Sequence, residues 1–266
     1  MSVLTHHPQP FTTRTGGAGA RELVLSSAMS QVVWRGDELG SHVVDTVPSG
    51  WPALDQELPG SGWPRRSVTE VLTAQPSVLE WRILSPGLKP IVDEGGQLVV
   101  IGPPRHPHLP GLLHMGLSDK QFIWIQADSP AERLWTTEQL IKSNSAGAII
   151  SWLPKVRPEQ LRRLQVCAQS CEAPVFLCRP ESAQYESSAA PLRVHASASQ
   201  DWELNVHILK RKGPSHEQTL VLNSVPGGLA SILTPRLRRP SALTPIEVPH
   251  AVGRPIVVPR TERASA

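Results

Sequence analysis

Tyrosine, phenylalanine and cysteine are scarce in this chain: its 266 residues hold one Tyr, three Phe and three Cys. Cys167, Cys171 and Cys178 make no even disulfide set, and no second Cys/His pair stands at ligand spacing. A zinc centre is therefore not expected, and the three thiols read as small buried hydrophobes. The ten histidines assemble no ligand pattern either. No apolar run is long enough to span a bilayer, so no membrane partner is expected. The first 20 residues, with His6, His7 and Gly16-Gly17, lack the apolar stretch of a secretory signal, and the protein is expected to be cytoplasmic. No Ser/His/Asp or Cys/His constellation is legible, and Glu132 and Glu138 have no partner that suggests acid–base chemistry.

A further absence is more pointed. Ser67 to Arg82 reads as strand, turn and helix, the setting of a phosphate-binding loop. Such a loop needs G-x-x-x-x-G-K-[ST], so that backbone N–H groups and a Lys hold the phosphates and a hydroxyl holds magnesium. In that register the first Gly is Thr73, the second is Val78, the Lys is Leu79 and the hydroxyl residue is Glu80. Ser77-Val78-Leu79-Glu80 reads instead as a capping box, with Ser77 as N-cap and Glu80 folded back onto the cap's own N–H. That helix would satisfy donors a phosphate needs and place like charge beside it. No cofactor, no physiological ATP affinity and no ATP hydrolysis are expected.

What is present is a globular composition, 39% hydrophobic and 18% charged, with 27 prolines and eight tryptophans. The net charge of +3 is unevenly placed. Residues 235–266 hold six arginines against two glutamates, a balance of +4 that leaves the remainder at −1. With six prolines and no helical periodicity, that segment reads as a flexible arm. The expected organisation is a disordered segment 1–20, a helical segment 21–46 (with Trp34 near the end of its helix), a folded domain 47–230 and a Pro/Arg-rich tail 231–266.

Within the domain, apolar strands and capped helices alternate. Strands are predicted at Val68–Leu72, Gln97–Ile101, Phe122–Ile125, Ala146–Trp152 and Pro174–Pro180. Helices are predicted around Leu109–Met115, from the capping box Ser129-Pro130-Ala131-Glu132 to about Ser145, and from Pro158 through Leu161, Leu164, Cys167 or Ala168, and Cys171. Trp124 and Trp152 fall in apolar runs and are expected in the core. Strands of antiparallel character follow at 192–195, 202–209 and 218–222, the last two joined by the turn Lys210-Arg211-Lys212-Gly213-Pro214. The fold class is α/β, a mostly parallel sheet flanked by helices, with antiparallel strands toward the C-terminus and disordered tails.

The lead-in Gly50-Trp51-Pro52-Ala53-Leu54-Asp55, then Trp63-Pro64-Arg65 and Thr69-Glu70-Val71-Leu72, stand in one order with the helix Glu132–Gln139 and the turn Leu209–Gly213. Over roughly residues 45–225 this succession resembles the RecA-like ImuA family, translesion-synthesis accessory proteins of the DNA-damage response. The resemblance implies a RecA-like core and a non-catalytic adaptor in a damage-induced complex. Its implied partners are a Y-family-like polymerase (ImuB-like), an error-prone C-family DNA polymerase and RecA. RecA's catalytic Glu should follow the strand at 97–101, where Pro103, Pro104 and Arg105 stand, and its magnesium-holding Asp falls at Ser151-Trp152. Residues 120–180 are also similar to the division inhibitor SulA, whose family blocks the tubulin-like division ring after DNA damage. The lead-in and the basic turn rank the mutagenesis accessory first.

The candidate contact residues carry two readings each. Lys210, Arg211 and Lys212 form either a solvated hairpin tip or an intersubunit or partner contact, the latter implied by the matching turn of RecA-type filaments. Arg236, Leu237, Arg238 and Arg239 suit DNA phosphates, partner docking or plain solubility. Partner docking is preferred, since no aromatic interleaves the charge. Trp51 and Trp63, in Gly/Pro-rich segments, are either binding anchors or loops packed on the body.

Overall fold

The computed structural model describes residues 45–225 and 227–242. The segments 1–20 and most of 21–46, with Trp34, lie outside the described residues. The described residues fall in one unit, Gly40–Ala266.

The chain enters through β1 (Thr46–Val47), the one-turn α1 (Pro52–Asp55) and β2 (Trp63–Pro64), with β1 and β2 paired antiparallel. The alternating part is β3 (Val68–Thr73), α2 (Leu79–Asp93), β4 (Leu98–Ile101), α3 (Leu109–His114), β5 (Phe122–Ile125), α4 (Pro130–Ser143), β6 (Ala148–Trp152), α5 (Pro158–Ala168) and β7 (Val175–Pro180). Then come β8 (Leu192–Ala198), β9 (Glu203–Lys210), β10 (Thr219–Asn223) and two single turns, α6 (Gly227–Ala230) and α7 (Pro235–Arg238). Among the described residues, the strands and helices expected from Val68 onward are present within a few residues of their predicted ends.

The main sheet runs β10-β9-β8-β3-β7-β6-β4-β5. Every neighbour pair from β5 to β8 is parallel, while β9 and β10 are antiparallel additions at one edge. Helices cover both faces, as a parallel sheet requires. Val71, Val100, Ile150 and Phe176 share one cluster with Trp81, Ile83, Leu84 and Leu88 of α2. Val68, Val99, Ile149 and Leu177 share the other with Ile141 of α4 and Leu161 and Leu164 of α5. Residues adjacent along a strand thus serve opposite faces.

α4 begins as its sequence dictates: Ser129 accepts from the Glu132 N–H at 3.2 Å, and Glu132 accepts from the Ser129 N–H at 3.0 Å. α2 is less regular, with Pro86 and Pro90 inside it. The lead-in packs on this stretch. The Trp51 indole donates to the Ile83 carbonyl at 2.9 Å, and a Cβ on Gly50 (φ +79) would meet Pro86 at 2.5 Å. Only glycine fits there.

Two expectations for the core require correction, the burial of Trp124 and that of Cys167. β5 is not a buried strand: it forms the sheet edge opposite β10, and Ile123 and Trp124 are 38% and 40% exposed. An apolar run does not reveal whether a further strand covers it. Trp152, in contrast, is in the core. Cys171 and Cys178 are buried as small hydrophobes, Cys167 is half-buried, and all three are free thiols. Burial pushes the Cys178 thiol well up from its usual value.

Candidate functional site

In an open parallel sheet, ligands gather outside the C-terminal strand ends, where the strand order reverses. Here that point is the end of β3: the next strand, β4, lies three places to one side, and β8 lies on the other. Thr73 is the last residue of β3, and the turn 74–78 leads into α2. The loop position expected from the sequence is therefore where the fold puts it.

The geometry there closes the position. Glu80 is 1% exposed and points into the protein. One carboxylate oxygen accepts from Thr73 Oγ1 at 3.0 Å and from Trp152 Nε1 at 3.2 Å, and the other accepts from the Val78 N–H at 3.2 Å. No Lys or Arg among the described residues pairs with it. Burial pushes its carboxyl above the ordinary 4.5, against the pull of its hydrogen bonds to backbone, Thr73 and Trp152. Desolvation wins because those donors are neutral and no cation offsets the buried charge.

The capping box expected at Ser77 is half right. Glu80 does accept from a cap N–H, but the cap residue is Val78, not Ser77. Ser77 sits at φ +65, a left-handed conformation, whereas an N-cap side chain bonds forward from an extended one. Its hydroxyl is buried without a hydrogen-bond partner. Leu79, at the would-be Lys position, is 1% exposed and belongs to the core beside α2. Thr73 and Glu80 are thus bonded to each other in the interior, Leu79 is buried as well, and Val78 is exposed.

The ends of β4 and β6, where the resemblance to RecA would put a catalytic Glu and a magnesium-holding Asp, are occupied as follows. Gly102 (φ +53) follows β4 with the Arg133 side chain where a Cβ would stand, at 2.5 Å. Arg133 Nε donates to the Ala127 carbonyl at 2.7 Å. Ser151 bonds Thr137 Oγ1 at 2.6 Å in the interior. Among the described residues no group of three or more His, Cys, Asp or Glu is placed to hold a metal.

The expected contact residues are scattered. Trp63 is 1% exposed and packs edge-on to Phe176, ring centroids 5.6 Å apart, so it presents no surface. Trp51 is half-buried against α2. In the basic turn, Lys210 donates to the Ser188 carbonyl at 2.8 Å and Arg211 pairs with Glu57 at 3.1 Å, whereas Lys212 has no partner among the described residues. The start of the Pro/Arg-rich segment takes up structure: Thr234 caps α7, and Arg238 donates to the Leu233 carbonyl at 3.1 Å. Trp202 Nε1 donates to the Leu237 carbonyl at 3.0 Å, while the Arg236, Leu237 and Arg239 side chains stay exposed.

A buried ionic cluster was not anticipated. Glu70, at the middle of β3, receives Arg179 Nη1 from β7 at 2.8 Å and Arg193 Nε from β8 at 2.6 Å. Arg179 also pairs with Glu186 at 2.6 Å, and Arg193 donates to the Ala183 carbonyl at 2.6 Å. The available signal was one acid and two bases inside three strands that lie side by side.

No protein-family model matches this chain. It is similar to the cell division inhibitor SulA of Photorhabdus laumondii, 28% identical over 112 residues. The match covers 42% of this chain and spans 63% of the relative's length. Part of the chain therefore has a counterpart in a cell division inhibitor.

Proposed function

We propose that this chain is a non-catalytic, RecA-like accessory protein of the DNA-damage response, an adaptor in an error-prone translesion-synthesis complex. Its partners in this reading are a Y-family-like (ImuB-like) polymerase and an error-prone C-family polymerase, with RecA as a further contact. The observation that carries the non-catalytic part is Glu80, buried on Thr73 and Trp152 at the position a phosphate-binding loop would keep open. The exposed Arg236, Leu237 and Arg239 supply a surface for partner docking or for DNA phosphates.

A second reading is an inhibitor of cell division, favoured by the partial similarity to SulA. It too requires no catalysis. One experiment separates the two: damage-induced mutation frequency and cell length, scored together in cells lacking this chain. The adaptor reading expects fewer induced mutations with normal filamentation. Lost filamentation with unchanged mutation frequency transfers the assignment to division control. No change in either sinks both.

A further inference from the structure

At the opposite end of the sheet, beside the amino-terminal ends of β3 and β8, lies a cavity of about 630 Å³. We infer that it binds a small ligand bearing a carboxylate or phosphate group, held by Arg65, Arg66, Lys212 and the Ser67 hydroxyl.

The cavity joins two sequence features that the site at Glu80 leaves unused. Arg65 and Arg66 lead from β2 into β3, and Lys212 comes from the turn after β9. Arg65 and Arg66 are fixed by neighbouring groups of the protein. Arg65 Nη1 donates to the Glu172 carbonyl at 2.7 Å. Arg66 sits at φ +55, a strained conformation for an arginine, with its N–H on the Cys171 carbonyl at 3.1 Å. On the basic turn, Lys210 and Arg211 are tied to Ser188 and Glu57, which leaves Lys212 as the unpaired cation.

The lining is rich in donors. Three cations face one carboxylate, Asp45, which stands 3.6 Å from Arg65 Nε. The pair between Arg66 and Glu172, 3.4 Å apart, has both side chains more than half exposed, so a ligand can displace it at little cost. Gln165 accepts the Val68 N–H at 2.9 Å through its oxygen, which leaves its amide hydrogens as donors. Ser67 is 8% exposed, and its hydroxyl has no hydrogen-bond partner. A buried hydroxyl left unpaired costs about 1–3 kcal/mol, and an acceptor brought by a ligand would recover it.

Size and walls set the ligand class. The volume lies in the range of small-molecule sites, roughly 300–1,000 Å³, and exceeds what a lone phosphate fills. Pro59, Pro64, Pro191 and Leu192 give an apolar wall for the body of the ligand. Its anionic group belongs on the cationic side.

The test is a backbone-amide NMR titration of the full chain with inorganic phosphate and, separately, with glutarate, each against sodium chloride at equal ionic strength. Saturable shifts are expected at residues 65–67, 165–169 and 212, beyond those chloride produces. Saturation by phosphate alone identifies phosphate as the recognised group, and by glutarate alone the carboxylate; either supports the site. Lys212→Gln and Ser67→Ala are each expected to weaken binding about fivefold or more. Both should fold, since Lys212 is unpaired and the Ser67 hydroxyl makes no bond in the free protein. No saturable shift at these amides, or binding unchanged in both variants, overturns the inference.

Discussion

At position 80 a carboxylate is buried without a cation, and its proton affinity records the strain. Burial raises its pKa above the ordinary 4.5, so the folded state holds the proton more tightly than the unfolded chain does. The stabilisation this linkage contributes is full below 4.5 and is lost as pH rises through the folded value. Glu80→Gln removes the titration. The stability of the native protein relative to this variant should therefore fall as pH rises through the range above the ordinary 4.5. Urea unfolding of both proteins across that range checks it, and parallel profiles would refute the assignment. Trp152→Phe keeps most of the ring but deletes the indole donor 3.2 Å from Glu80. A loss of about 1–3 kcal/mol is expected, with the same pH-dependent step moved to higher pH, because the charged form loses a donor that stabilises it.

At the scale of the elements, three neighbouring strands are cross-linked by Glu70, Arg179 and Arg193. Glu70→Ala leaves two arginine side chains, 1% and 8% exposed, without their shared acid. Removing one partner of a buried pair costs about 3–5 kcal/mol, so the midpoint of urea unfolding should drop sharply. Replacing all three with Leu or Met of similar volume should cost much less, since the desolvation penalty disappears with the charges. Comparable losses in the single and triple variants would show that shape, rather than charge pairing, holds β3 between β7 and β8. This cluster also marks where sequence reading ends. α4 was legible because Ser129, Pro130 and Glu132 define its start locally, and β4, β6 and β7 because short apolar runs ended at Gly, Trp-Leu-Pro or Pro. The edge position of β5, the inward turn of Glu80 and the pairing of Glu70 depend on which strands become neighbours, and no local pattern records that. The loop position at Thr73 to Glu80 was found because its register is local. Its partner Trp152 lies 72 residues away from Glu80 and was read only as core.

Across the whole molecule, the two ends of the sheet differ in kind: the C-terminal end of β3 is sealed around an acid, while the amino-terminal end opens onto cations. The consequence for nucleotides is direct. A chain that bound Mg-ATP with a dissociation constant of about 10 µM would gain about 2.7 kcal/mol at about 1 mM nucleotide, a rise of several degrees in unfolding temperature. No such rise is expected here, because the loop offers a buried carboxylate instead of a Lys and a hydroxyl, and Pro76 removes one N–H from the turn. The double variant Leu79→Lys, Glu80→Thr restores the charge and hydroxyl without the glycines that let a backbone wrap phosphate. It too should show no nucleotide-dependent shift in a thermal melt. A shift in the native protein that Lys212→Gln leaves intact would place nucleotide at the end of the sheet held closed by Glu80. A shift abolished by Lys212→Gln would place it instead among Arg65, Arg66 and Lys212, where the anion chemistry of this fold is concentrated.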